Sequence, residues 1–263
     1  MIVRPDRITA AVIGLGTMGS GIARLLLAHG ATVRGFDAHA NAGALGADDR
    51  LAGLELAESL SDAVRGADVV FEAVFEDIDV KEAVLGEIGR STDGVIASNT
   101  STFVPTRLAR FVREPGRLLV AHFFNPSDVI PLVEVVPHAG TSRDLPDQMA
   151  ELLRAVGKRP VVLRRERPGF VANRLQAAIL RESLALVEEG VVTPDGIDEV
   201  VRSALAPRWS VAGPIGVADL GGLDVFLAVC SEIFPTLADA SAPSSLLVDA
   251  VEAGRLGAKT GRG

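Results

Sequence analysis

Short apolar runs alternate with segments of helical periodicity along the first part of the chain. Helical spacing covers residues 17–29 and 77–90 and a shorter stretch at 105–111, and the apolar runs lie at 8–16, 31–37, 69–75, 94–99, 118–124, 129–136 and 160–164. Because the runs lack strict alternation of apolar and polar positions, we expect strands covered on both faces. The pattern predicts the α/β class, with a doubly wound and mostly parallel sheet.

The second part of the chain has helical patterns only. They occur at 169–189, from Thr193 onward, at 219–234 and at 244–253. We therefore predict two domains, 1–166 and an all-helical 167–263. A helical domain of about 95 residues is too small and too apolar to be stable alone. We expect it to pack on the first domain and to form a homodimer.

Composition narrows the classes of protein that the chain can represent. It has 263 residues, a net charge of −8 and a sequence pI near 5.1, which argues against nucleic-acid binding. No run of about 18 uncharged apolar residues is present for a membrane span, and the N-terminus lacks the pattern of a secretory signal. The single cysteine, Cys230, has no partner for a disulfide or a metal site. We expect a cytoplasmic protein that binds no metal, membrane or nucleic acid.

A glycine cluster follows the first apolar run and begins the first helical segment. Gly14, Gly16 and Gly19 have the spacing G-x-G-x-x-G, with Thr17 and Met18 between the last two. The first glycine permits a tight turn, the second lets the backbone approach a pyrophosphate, and the third lets helix and strand pack closely. The helix N-terminus then faces the phosphates. The cluster predicts a Rossmann-like dinucleotide site formed by these five residues.

The second apolar run ends on an acidic residue, Asp37, about 20 residues beyond the glycines, where a ribose-binding carboxylate is expected. A carboxylate there accepts hydrogen bonds from the 2′-hydroxyl of the adenosine ribose and repels a 2′-phosphate. The sequence therefore predicts NAD as the cofactor in preference to NADP.

Four polar residues stand at or just past the ends of predicted strands in three of the apolar runs. They are Glu76, Asn99, Ser101 and His122. Ligands of open parallel sheets bind outside the carboxyl ends of the strands, so we expect these side chains to surround one crevice.

His122 lies twelve positions before Glu134, across a segment that favours a strand, a turn and a strand. The turn formers are Asn125-Pro126-Ser127-Asp128, and both flanks are apolar. Adjacent antiparallel strands would bring the two side chains together, as an alcohol-oxidising enzyme requires of its base and the carboxylate beside it. The alternative is a core histidine and a strand-end glutamate that never meet.

Six ordered motifs resemble those of the NAD-dependent 3-hydroxyacyl-CoA dehydrogenases, also called 3-hydroxybutyryl-CoA dehydrogenases. The motifs are GLGTMGSGIA at 14–23, ASNTST at 97–102, HFFNP at 122–126, LVEVV at 132–136, PGFVANR at 168–174 and GPIGVADLGGLD at 213–224. The lysine-based beta-hydroxyacid dehydrogenases share the glycine motif, but Gly169 stands where their lysine would be. The histidine and glutamate branch is therefore favoured.

The resemblance implies roles for individual residues. His122 would be the catalytic base, Glu134 would orient it, and Ser101 and Asn173 would contact the reacting oxygen. Along the nicotinamide half of NAD it places Glu76, Lys81, Ser101 and Asn125. Other interpretations remain: Ser101 and Asn173 could serve only as helix caps or structural hydrogen-bond partners, and Lys81 could be a solvated helix lysine.

The chain departs from the family between Asp37 and residue 69. Family members usually carry there a helical hairpin that reaches over the CoA nucleotide, and residues 38–67 are too few for it. We expect a reversible oxidation of a 3-hydroxyacyl thioester linked to CoA or to an acyl carrier protein. A small free hydroxy acid such as L-gulonate is the alternative, because PLVEVVP, NRLQAAILRESLALVEEG and PRWS lean toward the L-gulonate 3-dehydrogenase and lambda-crystallin branch. A non-catalytic, crystallin-like structural protein is the third alternative.

Overall fold

The computed structural model describes residues 4–39 and 45–263. It divides into two compact units, Met1–Asn173 and Arg174–Gly263, which we describe separately. The predicted domain boundary after residue 166 lies before this division and stays a prediction. Residues 40–44, which belong to the shortened segment noted above, lie outside the described residues.

The first unit contains an eight-stranded sheet in the order β3-β2-β1-β4-β5-β6-β7-β8. The strands are β1 Thr9–Ile13, β2 Thr32–Phe36, β3 Leu54–Leu56, β4 Val69–Glu72, β5 Val95–Ser98, β6 Leu118–Phe123, β7 Leu132–Val136 and β8 Arg159–Val162. All neighbours are parallel except β6 and β7, which are antiparallel. The predicted fold class is confirmed. Strand β3 was not predicted, because three residues are too short to give a periodic signal.

Helices cover both faces of this sheet. They are α1 Thr17–Ala28, α2 Leu60–Val64, α3 Ile78–Ser91, α4 Pro105–Leu108 and α5 Leu145–Ala155. On one face, α1 and α5 pack Ile22 and Met149 against the sheet. On the other, α2, α3 and α4 pack side chains that include Leu85 and Leu108. The central strands β1 and β4 to β7 are therefore buried on both sides, as expected. The expectation is wrong for β8, an edge strand with exposed residues.

The second unit is helical. Helix α6, Ala172–Glu188, leads into it, and α7 Pro194–Val200, α8 Ala206–Trp209, α9 Pro214–Gly221, α10 Leu223–Ile233 and α11 Ser245–Glu252 follow. The single helix predicted at 219–234 is wrong, because Gly222 adopts φ 91° and separates α9 from α10. Throughout residues 174–263, all of which are described, no side chain is buried. Within 4–39 and 45–263, no helix has both the length and the apolar character needed to cross a bilayer.

Candidate active site

The glycine turn joins β1 to α1 and has the geometry that its spacing predicts. Gly14 adopts φ 88°, and a Cβ there would lie 2.6 Å from the carbonyl oxygen of Ala73. A Cβ on Gly19 would overlap the Gly14 carbonyl oxygen, whereas one on Gly16 would meet nothing within 4 Å. The fold therefore requires the first and third glycines, and the second leaves open space in which a pyrophosphate can approach the protein backbone.

A cavity of about 340 Å³ opens beside this turn. Its lining includes Gly16, Thr17, Met18, Phe36 and Asp37. Asp37 follows β2, and its carboxylate accepts hydrogen bonds from the amides of Leu15 and His39, each at 2.7 Å. These bonds fix the carboxylate at the cavity with lone pairs left for ribose hydroxyls. The glycine cradle, the cavity and the carboxylate together fit the adenosine and pyrophosphate parts of NAD.

The antiparallel pairing of β6 and β7 places His122 directly opposite Glu134. The imidazole Nδ1 lies 2.9 Å from Glu134 Oε2, and the two residues are only 2% and 1% exposed. The structure therefore brings this pair together, and the alternative in which the two side chains never meet does not describe it. A buried carboxylate on Nδ1 favours the tautomer in which Nδ1 carries the proton and Nε2 is free to accept one.

The second oxygen of Glu134 binds the start of α6. Oε1 accepts hydrogen bonds from the amides of Val171 at 2.9 Å and Ala172 at 3.0 Å. Burial raises the pKa of Glu134, but the hydrogen bond from His122 and the two amides outweigh burial and hold that pKa below its ordinary value. Glu134 therefore stays ionised near neutral pH and can stabilise a protonated imidazole.

Two aromatic rings flank the imidazole of His122. The ring centroid of Phe124 lies 4.5 Å from that of His122, and the centroid of Phe170 lies 5.3 Å away. Phe170 is buried and adopts φ 52°, a conformation that costs energy for a residue with a side chain. The rings limit access of water to the histidine, which strengthens its interaction with Glu134.

Ser101 lies on the turn after β5 and faces the other nitrogen of His122. Its Oγ is 3.1 Å from Nε2, so Ser101, His122 and Glu134 form one hydrogen-bonded row. Ser101 is exposed, and a substrate oxygen can therefore approach both its hydroxyl and Nε2. This arrangement can remove a proton from a hydroxyl and stabilise the charge that results.

Three predicted site residues, all asparagines, lie outside the hydrogen-bonded row of Ser101, His122 and Glu134. Asn99 accepts a hydrogen bond from the amide of Phe123 at 3.0 Å and so holds the end of β6. Asn125 is exposed and precedes a cis proline. Asn173 is half-buried in the first turn of α6, directly after Ala172. Their contacts with substrate or cofactor stay predictions.

Lys81 is buried and lies close to two carboxylates, that of the buried Glu72 and that of the exposed Glu76. Lys81 is 0% exposed, and its Nζ lies 2.8 Å from Glu72 Oε1 and 3.6 Å from Glu76 Oε2. The interpretation of Lys81 as a solvated helix lysine is therefore wrong, while its contact with the cofactor stays a prediction. Glu72 was missed, because it lies inside the apolar run 69–75 and no local pattern distinguishes it. An acidic residue within such a run is itself a signal that a buried partner is required.

Comparison with known proteins supports the interpretation of the motifs. The family model for the 3-hydroxyacyl-CoA dehydrogenase NAD binding domain matches residues 9–48 and 40–167. The model for the 3-hydroxyacyl-CoA dehydrogenase C-terminal domain matches residues 169–263. Together the two models span nearly all of the chain.

Two curated relatives illustrate the range of the family. The 5-formyl-3-hydroxy-2-methylpyridine 4-carboxylate 5-dehydrogenase of Mesorhizobium japonicum is 34% identical over 96% of this chain and 88% of its own length. Lambda-crystallin of Oryctolagus cuniculus is 37% identical over 66% of this chain and 55% of its own length. Similarity to the lambda-crystallin branch, predicted from the motifs, is thereby confirmed.

Two solved structures have the same fold. A 5-formyl-3-hydroxy-2-methylpyridine 4-carboxylic acid 5-dehydrogenase, described as an NAD⁺-dependent dismutase, matches with a TM-score of 0.92 at 32% identity, over 100% of this chain and 90% of that one. The (S)-3-hydroxybutyryl-CoA dehydrogenase of Ralstonia eutropha matches with a TM-score of 0.76 at 32% identity, over 97% of each chain.

Proposed function

The chain belongs to the 3-hydroxyacyl-CoA dehydrogenase family, and we propose that it oxidises a hydroxyl of a small, free carboxylate substrate by means of Ser101, His122 and Glu134. That it is an NAD-dependent dehydrogenase acting on a hydroxyl group follows from its family and relatives. The identity of the substrate and the roles of the three residues are the proposal.

The proposed chemistry begins with proton removal at His122. When bound, NAD supplies the acceptor for the hydride that leaves the carbinol carbon. Nε2 of His122 takes the hydroxyl proton, so the substrate loses one hydride and one proton and becomes a carbonyl compound. Glu134, ionised and 2.9 Å from Nδ1, stabilises the imidazolium that forms. Ser101 Oγ, 3.1 Å from Nε2, holds the substrate oxygen beside the base.

The proposed substrate class rests on the segment that follows Asp37. The structure describes residues 38–39 and 45–68 of this segment. After residue 46, these residues form a 3₁₀ turn at Asp49–Leu51, β3 and the five-residue α2. These described residues contain no helical hairpin that could reach over a CoA nucleotide. The likeness to the pyridine carboxylate enzyme, with a TM-score of 0.92 against 0.76 for the butyryl-CoA enzyme, supports the same choice.

A 3-hydroxyacyl thioester on CoA or on an acyl carrier protein is the second candidate substrate. Both matching family models are described by 3-hydroxyacyl-CoA dehydrogenase activity, and they cover 9–167 and 169–263. The same three residues would carry out the same oxidation. The two candidates differ only in the group that the enzyme binds beyond the hydroxyl.

NADH absorbance assays with a substrate panel test this choice. The panel contains acetoacetyl-CoA, a carrier-protein-bound 3-oxoacyl group, L-gulonate, and free hydroxy and formyl pyridine carboxylates. We expect a larger kcat/KM for a free carboxylate than for either thioester, by about tenfold or more. A larger kcat/KM for a thioester would select the second candidate. Absence of turnover with every compound would favour a structural, crystallin-like protein.

We also propose that the enzyme is a cytoplasmic homodimer joined through residues 174–263. Homo-oligomers with twofold symmetry are the commonest assemblies among soluble proteins. The absence of any buried side chain in 174–263, a fully described range, supports an interface there. The net charge of −8 supports the expectation that the enzyme binds no nucleic acid.

A further inference from the structure

We propose that Glu76 is a positioning residue, whose carboxylate fixes the turn that presents Ser101 to His122. Glu76 lies just past the end of β4, and Ser101 lies just past the end of the neighbouring strand β5. This inference rests on the proposed function, because it assumes that the row of Ser101, His122 and Glu134 performs the oxidation.

One oxygen of Glu76 holds three consecutive residues of the turn. Oε1 accepts hydrogen bonds from the amides of Ser101 at 3.0 Å and Thr102 at 2.9 Å. It also accepts from the hydroxyls of Thr100 at 2.5 Å and Thr102 at 2.7 Å. A single acceptor shared by three successive residues leaves the turn little freedom. The backbone of Ser101 is therefore held on one side by Glu76 while its hydroxyl contacts His122 on the other.

The second oxygen of Glu76 faces a buried anchor. Its Oε2 lies 3.6 Å from Nζ of Lys81, which is fully buried. Lys81 in turn contacts Glu72 Oε1 at 2.8 Å, and Glu72 Oε2 accepts a hydrogen bond from Ser98 Oγ at 2.5 Å. Glu72 and Ser98 are paired on adjacent strands, so the anchor belongs to the sheet itself. The contacts thus run from the sheet to Lys81, from Lys81 to Glu76, and from Glu76 to the turn that carries Ser101.

The donors that converge on Glu76 explain why a carboxylate is needed at position 76. Glu72, 2.8 Å from Nζ, already balances the charge of Lys81, whereas two amides and two hydroxyls all donate to Oε1 of Glu76. Burial raises the pKa of Glu76, but hydrogen bonds from Thr100 and Thr102 and the charge of Lys81 outweigh it and lower that pKa. Glu76 is therefore ionised at neutral pH and accepts all four hydrogen bonds at once.

The position of Ser101 matters because it sets where the substrate oxygen lies relative to Nε2. Errors of about 1 Å in such a geometry cost roughly 10²-fold in rate. We therefore expect Glu76→Gln, which removes the charge at nearly constant size, to lower kcat by about 10- to 100-fold. The dissociation constant for NADH, measured by fluorescence, should stay within about twofold, since this effect acts on the reacting oxygen.

A double-mutant cycle separates positioning from other roles. In a Ser101→Ala background the added Glu76→Gln change should lower kcat by less than about threefold, because the residue it acts through is already absent. Glu82→Gln is the matched control, since Glu82 is exposed on the same helix α3, and it should leave kcat unchanged. Additive losses in the cycle would overturn the proposal. A rise in the NADH dissociation constant at unchanged kcat would replace it with a direct cofactor contact.

Two further measurements keep the test decisive. If Glu76→Gln does not fold, the same cycle is run with Thr102→Val, which removes only the hydroxyl bond to Glu76 and should lower kcat by a few-fold.

The ¹⁵N resonance of His122 Nε2 reports its hydrogen bond to Ser101 without any substrate. We expect that resonance to move in Glu76→Gln and to stay in place in Glu82→Gln, and an unmoved resonance in both would contradict the proposal. Failure of the proposed function would instead appear as absence of turnover in the unaltered enzyme.

Discussion

The two units of the chain differ in whether they bury side chains of their own. In the described part of the first unit, 4–39 and 45–173, both sheet faces carry clusters of side chains with almost no exposure. In the second unit, 174–263, no side chain is buried. The first unit therefore contains a source of stability within itself. The second has helices with apolar surfaces and no core of its own to cover them.

The exposed apolar side chains of the second unit are large and occur close together along the chain. Val211 is 89% exposed, Ile215 is 83% exposed and Leu220 is 80% exposed. Burial of such a side chain contributes about 1.5–3 kcal/mol. Soluble monomers rarely leave such a surface uncovered. The difference between the units is the reason for proposing that a second copy of the chain covers the helices.

The largest effect on stability should come from a substitution that creates a cavity in the core of the first unit. Leu119 lies in β6 and is 0% exposed, so Leu119→Ala should lower the free energy of unfolding by about 2–5 kcal/mol. Urea denaturation followed by circular dichroism measures the change. The loss should be independent of protein concentration, since the core belongs to one chain. A loss below about 1 kcal/mol would contradict the conclusion that the core of the first unit stabilises the chain.

A charge placed in the second unit should act on assembly. We expect Ile215→Asp to weaken the dimer by at least about 100-fold, or roughly 2.7 kcal/mol, because it buries an unpaired carboxylate at the proposed interface. Light scattering coupled to size exclusion gives the mass of the assembly. Glu232→Gln, which changes an exposed polar residue of the same unit, is the control. An unaltered protein that elutes as a monomer would contradict the proposed homodimer.

The smallest effect should concern the choice of cofactor, which depends on the first unit alone. Asp37→Ala removes the carboxylate expected to repel a 2′-phosphate, so the preference for NAD over NADP should fall by about tenfold or more. The ratio of kcat/KM for the two cofactors is the measurement. The preference should respond in the same way in Ile215→Asp monomers. A preference unchanged by Asp37→Ala would move the origin of specificity to another residue.

The fold of the first unit could be predicted because its signals are local. The spacing of Gly14, Gly16 and Gly19 after an apolar run fixes the turn, and strand β3 was missed only because it has three residues. Helix α5 was also missed, although Leu145, Met149, Leu152 and Leu153 recur at helical spacing. In the second unit, no periodicity showed that Gly222 would divide the helix predicted at 219–234.

In the site too, contacts that follow from local sequence could be predicted and contacts between distant segments could not. The meeting of His122 and Glu134 could be predicted as one of two alternatives, because a turn between two apolar flanks favours antiparallel strands without fixing their register. The contact of Lys81 with Glu72 could not, since it depends on where a helix packs against a sheet. Nor could the four bonds to Glu76, which join residues 24 to 26 positions apart.

The most direct test of the proposed chemistry is the turnover of His122→Ala beside its affinity for NADH. We predict that kcat falls by about 10² to 10⁴ while the NADH dissociation constant stays within about twofold. His138→Ala, which alters a histidine in a surface turn, should leave both quantities unchanged. Unchanged turnover in His122→Ala would contradict the assignment of the base.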